Sequence, residues 1–128
     1  METVPDMTAM QANELLDLVN NALEDLKAVD MKVLDVEALT TITSHMVICT
    51  GTSRRHVKSL ADNLIMEAKH AGMRPAGVEG SDEAEWVLVD LGDVVVHIMQ
   101  AQARALYQLE KLWAPSPDTA AEQDQASS

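Results

Sequence analysis

Gly51-Thr52-Ser53-Arg54 is the segment best placed to do chemistry, because it joins an apolar run, His45 to Thr50, to a helical pattern. A turn of that kind leaves backbone N–H groups free at the start of a helix, where they can hold an anion. Arg54, Arg55, His56 and Lys58 follow. Cations there oppose the helix dipole, so a negative partner is expected: the chain's own acids, a phosphate or an outside surface. The turn has neither the Gly-x-x-x-x-Gly-Lys-Ser/Thr nor the Gly-x-Gly-x-x-Gly pattern. Nucleotidyl transfer would also need two carboxylates to hold Mg²⁺, spaced Asp-x-Asp on the strand that follows. The next acids are Asp62, inside the helical pattern, and Glu67, while Glu83-Ala84-Glu85 lies far downstream at a loop-to-strand junction. The metal pair is missing where the chemistry needs it. His45, His56, His70 and His97 contain no His-x-x-x-His pair and no cysteine at a zinc spacing. Cys49 sits mid-strand, where a cysteine is ordinarily a small buried residue. No catalytic residue, metal or cofactor is expected.

The elements that carry these residues follow from periodicity. Leu15, Val19, Ala22, Leu23 and Leu26 form one stripe of a helix from about Gln11 to Lys27. Asp30 to Val36 and His45 to Thr50 read as strands, the second buried on both faces. A helix from Arg54 to Ala71 turns Val57, Leu60, Ala61, Leu64, Ile65 and Ala68 inward, and Gly72 stops it. Val78 marks a short strand. Glu85–Asp90 and Asp93–Met99 form a hairpin about Leu91-Gly92. A last helix from Ala101 to Trp113 puts Leu106, Leu109 and Leu112 in the core. Met46, Met66 and Met99 are expected to fill gaps in the core or at its edge. The order α-β-β-α-β-β-β-α predicts an α/β fold, one small domain with a mixed sheet and packed helices. Residues 1–10 are expected to be a flexible N-terminus, 11–113 the domain, and 114–128 a disordered tail rich in Pro, Gln and Ser.

The hairpin sorts side chains between two faces. In the expected register Asp90 opposes Asp93, Leu88 opposes Val95 and Trp86 opposes His97, and opposed residues share a face. Val87, Val89, Val94, Val96 and Ile98 then make a wholly apolar face under the helices. Trp86, Leu88, Asp90, Asp93, Val95, His97 and Met99 make the other. That mixture of aromatic, aliphatic and charged residues suits a protein contact site, unless a helix or the C-terminal segment covers it. Glu79, Asp82, Glu83, Glu85, Asp90 and Asp93 lie nearby with no Lys or Arg among them.

Composition narrows the partner. The 128 residues suit a single domain, and 47% hydrophobic content can fill a core. Nine Lys+Arg against 21 Asp+Glu give a net charge of -12. Direct nucleic-acid binding as a main activity is disfavoured, and a basic protein partner is favoured. One cysteine excludes an internal disulfide and fits a reducing cytoplasm. The N-terminus reads as neither a signal peptide nor an anchor, and no apolar run approaches the roughly 18 residues of a membrane span. With no Phe, one Tyr and two Trp, the core must come from Leu, Val, Ile and Met.

Four segments in order carry a resemblance: Thr50-Gly51-Thr52-Ser53-Arg54-Arg55-His56-Val57; Gly77-Val78-Glu79-Gly80; Glu85-Trp86-Val87-Leu88-Val89-Asp90-Leu91-Gly92-Asp93-Val94-Val95-Val96-His97; and Leu106-Tyr107-Gln108-Leu109-Glu110-Lys111-Leu112-Trp113. From about Leu15 to Trp113 the chain closely resembles the ribosomal silencing factor family, RsfS, also called iojap. The resemblance implies a nucleotidyltransferase-like fold without catalytic acids. It implies binding to the large ribosomal subunit through its fourteenth protein and steric blockade of small-subunit joining when nutrients are short. Family members often crystallise as dimers, so a homodimer is one implied state. Trp86, His97 and Tyr107 match family positions, and the implied partner surface is Trp86, Leu88, Asp90, His97, Met99, Tyr107 and Leu109. Many relatives carry aromatic residues after an Asp before the second strand. Ser44-His45-Met46 departs from that, so either an aromatic contact is lost or Met46 fills its space. Two other functions use the same residues: a large-subunit assembly factor with the same surface, or a divergent nucleotide-binding enzyme with Gly51, Thr52, Ser53 and Arg54 around a phosphate.

Overall fold

Two long helices are ended by the same backbone device from different residues. The computed structural model describes residues 3–112, with side chains for residues 13–111. Helix α1 (Thr3–Asp25) begins well ahead of Gln11, with Pro5 in its first turn, where a missing N–H costs nothing. At its end Lys27 takes φ 64, and Lys27 and Ala28 donate back to the Glu24 and Leu23 carbonyls. Helix α2 (Arg54–His70) ends the same way around Gly72 (φ 86), where Gly72 and Met73 donate to Lys69 and Ala68. The glycine is the usual residue for this paired cap. At the other end of α2, Ser53 is the N-cap and its Oγ accepts from His56 N–H at 3.0 Å.

Five strands, β1 (Val29–Asp35), β2 (His45–Gly51), β3 (Gly77–Glu79), β4 (Trp86–Asp90) and β5 (Val94–Gln100), form one mixed sheet in the order β1-β2-β5-β4-β3. Only β2 and β5 run parallel; the other neighbours are antiparallel. The expected α/β class and mixed sheet are what the chain adopts.

The hairpin register differs from expectation. Trp86 lies opposite Met99, Leu88 opposite His97 and Asp90 opposite Val95. Asp93 leaves the ladder with β4 because its carbonyl accepts the N–H groups of Ser44 and His45 at the start of β2. The turn closes instead by Leu91 N–H on the Val94 carbonyl, with Gly92 at φ 88 donating to Asp90 Oδ1. The slip is one full pleat repeat, so each strand residue keeps its expected face.

The last helix also differs. Gln108 adopts a left-handed conformation (φ 48, ψ 52) and divides it into α3 (Ala101–Tyr107) and α4 (Leu109–Leu112). Leu106 and Leu109 no longer share a stripe: Leu109 is buried, whereas Leu106 is 74% exposed rather than in the core. Leu26 and Met66 are also exposed, Leu26 because it lies beyond the end of α1. Trp113 and the expected tail, 114–128, lie outside the described residues.

Each face of the sheet carries a buried cluster. Leu15, Val19 and Leu23 of α1 and Val57, Leu60 and Leu64 of α2 pack on Val47, Cys49, Val87, Val89, Val96 and Ile98. On the opposite face Val36, Met46, Ile48, Met99, Ala103 and Leu109 form a second cluster beneath α3 and α4.

Candidate functional site

Alternation along β4 and β5 places Trp86, Leu88, Asp90, Val95, His97 and Met99 on the face opposite the two long helices. Helix α3 crosses part of that face, and the site has two depths. Met99, His97 and Leu109 are buried and form its floor. Trp86, Leu88 and Asp90 are half-buried above them. Tyr107 is 51% exposed, and its ring stands 4.7 Å from that of Trp86 at 45°. Leu106 beside it is almost fully open to solvent. The face is therefore both covered and open: Met99 and His97 on β5 are buried, and Trp86, Leu88 and Asp90 on the neighbouring β4 remain partly accessible.

A hydrogen bond fixes the tryptophan. Trp86 Nε1–H donates to His97 Nδ1 at 2.9 Å. Burial pushes the His97 pKa down to about 4, so the ring is neutral near pH 7 and remains an acceptor. The pair holds an aromatic plate at the surface with its polar atom satisfied below. Glu79 pairs with Leu88 across β3 and β4, so Glu79 and Asp90 flank the leucine on the same face. The expected acids Asp82, Glu83, Glu85 and Asp93 follow in adjoining turns and are mostly exposed. Met46 of the departing Ser44-His45-Met46 segment is buried against Ile48 and Met99 and fills space in the second cluster.

The Gly51-Thr52-Ser53-Arg54 turn is tied up internally. Thr52 N–H donates to His56 Nδ1 at 2.9 Å, which leaves Nε2–H to donate to the Leu26 carbonyl at 2.7 Å. That carbonyl sits at the end of α1, so the histidine joins two helix termini. Gly51 has a packing reason, since a Cβ there would stand 2.5 Å from Val57 Cγ2. Asp62 and Asp82 line a shallow groove with Arg54, Arg55 and Lys58, which offers compensating charge from within the chain. Cys49 is buried, and desolvation, partly offset by the Arg104 charge, raises its thiol pKa to about 12. That thiol is a poor nucleophile. Among the described residues no three His, Cys, Asp or Glu side chains cluster to hold a metal. Among them, too, no helix is long and apolar enough to cross a membrane.

Arg104 was not singled out by its sequence pattern. It is 8% exposed, with Nη1 donating to the Asp30 carbonyl and Thr50 Oγ1 and Nε donating to Glu110 Oε2. It thereby ties α3 and α4 to β1 and β2. The available signal was its setting, Ala101-Gln102-Ala103-Arg104-Ala105, where small neighbours let a long cation lie down.

A family model described as "Ribosomal silencing factor during starvation" matches residues 9–128. The chain is 51% identical over 100 residues to a Haemophilus influenzae protein named ribosomal silencing factor RsfS, spanning 78% of this chain and 98% of the relative. It is 35% identical over 101 residues to a mouse protein named "Mitochondrial assembly of ribosomal large subunit protein 1", spanning 77% of this chain and 44% of the relative. Its fold is similar to the crystal structure of a Chromobacterium violaceum protein, with a TM-score of 0.79 and 43% identity over 81% of this chain and 87% of that one.

Proposed function

The chain belongs to the ribosomal silencing factor family, and on that footing we propose that it binds the large ribosomal subunit through the subunit's fourteenth protein and sterically blocks joining of the small subunit. Translation falls as a result when nutrients are short, in the cytoplasm and without an enzymatic step. The observation that carries this reading is the aromatic plate, Trp86 against Tyr107, on a buried floor of His97, Met99 and Leu109. Aromatic anchors on a rigid support concentrate binding energy, because little side-chain freedom is lost on contact. Leu106 extends the apolar contact, and Leu88 and Asp90 continue it toward the acids. Met99 and Leu109 act from beneath rather than by touching the partner.

Calorimetric titration with the purified fourteenth large-subunit protein tests the docking. Tyr107→Ala and Leu106→Ala remove exposed side chains, so thermal unfolding should barely move while binding weakens by about 1–2 kcal/mol each. Trp86→Ala should weaken it by about 2 kcal/mol or more. Wild-type binding that ignores all three substitutions would rule this face out.

A second reading is supported by the mouse relative, whose name specifies large-subunit assembly. The same face would then dock on an immature subunit. Subunit-joining assays with mature ribosomes separate the two readings: silencing requires fewer joined ribosomes as the protein is added, and assembly alone does not.

A further inference from the structure

We propose that Arg104 is a positioning residue for docking: without touching the partner, it locks the corner between α3 and α4 so that Tyr107 stands against Trp86. The inference rests on the docking role of that face. Arg104 lies about one helical turn before Tyr107 and is buried beneath α3, whereas Tyr107 is half exposed.

Neither short helix holds this shape alone. Helix α3 has seven residues and α4 four, and isolated helices shorter than roughly 12 residues are marginal in water. Gln108 between them takes φ 48 without a side chain suited to it. Such a conformation persists only where its surroundings hold it. Arg104 supplies that hold from both its backbone and its side chain. Its carbonyl accepts Gln108 N–H at 3.0 Å, and its Nε donates to Glu110 Oε2 at 3.0 Å. One residue thus fastens the left-handed position and the helical turn after it. Nη2 lies 3.0 Å from the same carboxylate oxygen. On the far side Nη1 donates to Thr50 Oγ1 at 2.8 Å and to the Asp30 carbonyl at 2.6 Å. Asp30 is itself left-handed (φ 57) and lies in the break of register between Val29 and Lys32. Of the four non-glycine residues with positive φ among the described residues, two are therefore bonded to Arg104. A planar guanidinium holds its donors at fixed angles, which suits a joint between three elements. The consequence falls on the aromatic pair. Trp86 is fixed separately by its bond to His97, so a loosened corner leaves the tryptophan in place and frees Tyr107 from it.

Two variants of the full chain test this. Arg104→Met keeps an apolar stem and removes the fork, and Glu110→Ala unfastens α4 alone at a partly exposed position. NMR follows the NOEs between the Trp86 and Tyr107 rings, with the Trp86 indole N–H marking an intact sheet and His97 bond. Calorimetry measures affinity for the fourteenth large-subunit protein. In both variants the ring NOEs should weaken while the indole N–H stays protected from exchange. Arg104→Met should weaken binding roughly tenfold, about as much as Tyr107→Ala, and should cost nothing further in a Tyr107→Ala background. Ring NOEs at wild-type strength in a folded variant overturn the proposal. So does an affinity indifferent to Arg104→Met, or a loss that persists in full on top of Tyr107→Ala. If Arg104→Met does not fold, Glu110→Ala decides by the same readouts. A wild-type protein that fails to bind sinks the docking reading alone, and the ring NOEs then decide the role of Arg104.

Discussion

His97 stays neutral near pH 7 because water is kept from it, and that has a thermodynamic consequence. Its pKa is about 4 in the folded protein against 6.5 ordinarily, so between those values the unfolded chain binds the extra proton. Stability from this group is therefore complete above about pH 6.5 and is lost as pH falls toward 4, by up to about 3 kcal/mol. Chemical denaturation at stepped pH should show the decline, and His97→Gln, which can still accept from Trp86, should flatten it. An unchanged slope in the variant would mean that another group titrates there. Glu110 loses its contribution lower on the scale. Burial raises its pKa, but its backbone hydrogen bond and Arg104, helped by Lys32, outweigh that and bring it below the usual glutamate value. The stability of its ion pair is present above that usual value and fades as pH falls through the folded one.

Among the elements, α4 carries weight out of proportion to its length. Its first residue, Leu109, closes the second cluster over Met99, and Glu110 fastens it to Arg104. Leu109→Ala should cost about 2–3 kcal/mol in denaturant unfolding and loosen the support under Tyr107. Gly80→Ala should cost roughly 2–4 kcal/mol, since Gly80 has φ 85 and a Cβ there would overlap the Trp86 carbonyl. The elements differ in how far their residues announced them. Ser53 and Gly72 are strong local signals, and α2 follows the expected boundaries closely. Lys27 and Gln108 take left-handed conformations with side chains that carry no such signal, so tertiary packing must impose them. Face membership was legible because alternation survives a slip by a whole repeat. The register was not, because the deciding bonds run from Asp93 to Ser44 and His45, far away in the chain. The site was half legible for the same reason: Trp86 and Leu88 follow from period, whereas the exposure of Leu106 depends on the break at Gln108.

For the whole molecule, charge governs approach. A net charge of -12, with Glu79 and Asp90 beside Leu88, favours encounter with a basic surface. Stopped-flow association with the fourteenth large-subunit protein should slow steeply as salt rises from about 0.05 to about 0.5 M, while dissociation changes little. The reverse pattern would assign the acids to the bound contact rather than to capture. The strand order also sets a timetable for biosynthesis. The centre of the sheet, β5, is the last strand to be made, and β2 waits with one side unpaired until it arrives. A nascent chain that has emerged only as far as α2 presents Met46-Val47-Ile48-Cys49 as an open apolar template. Such a ribbon invites chaperones or other nascent strands. A ribosome that stalls before residue 94 thus releases an aggregation-prone fragment that lacks β5, and one that finishes releases a protein with that hazard sealed inside.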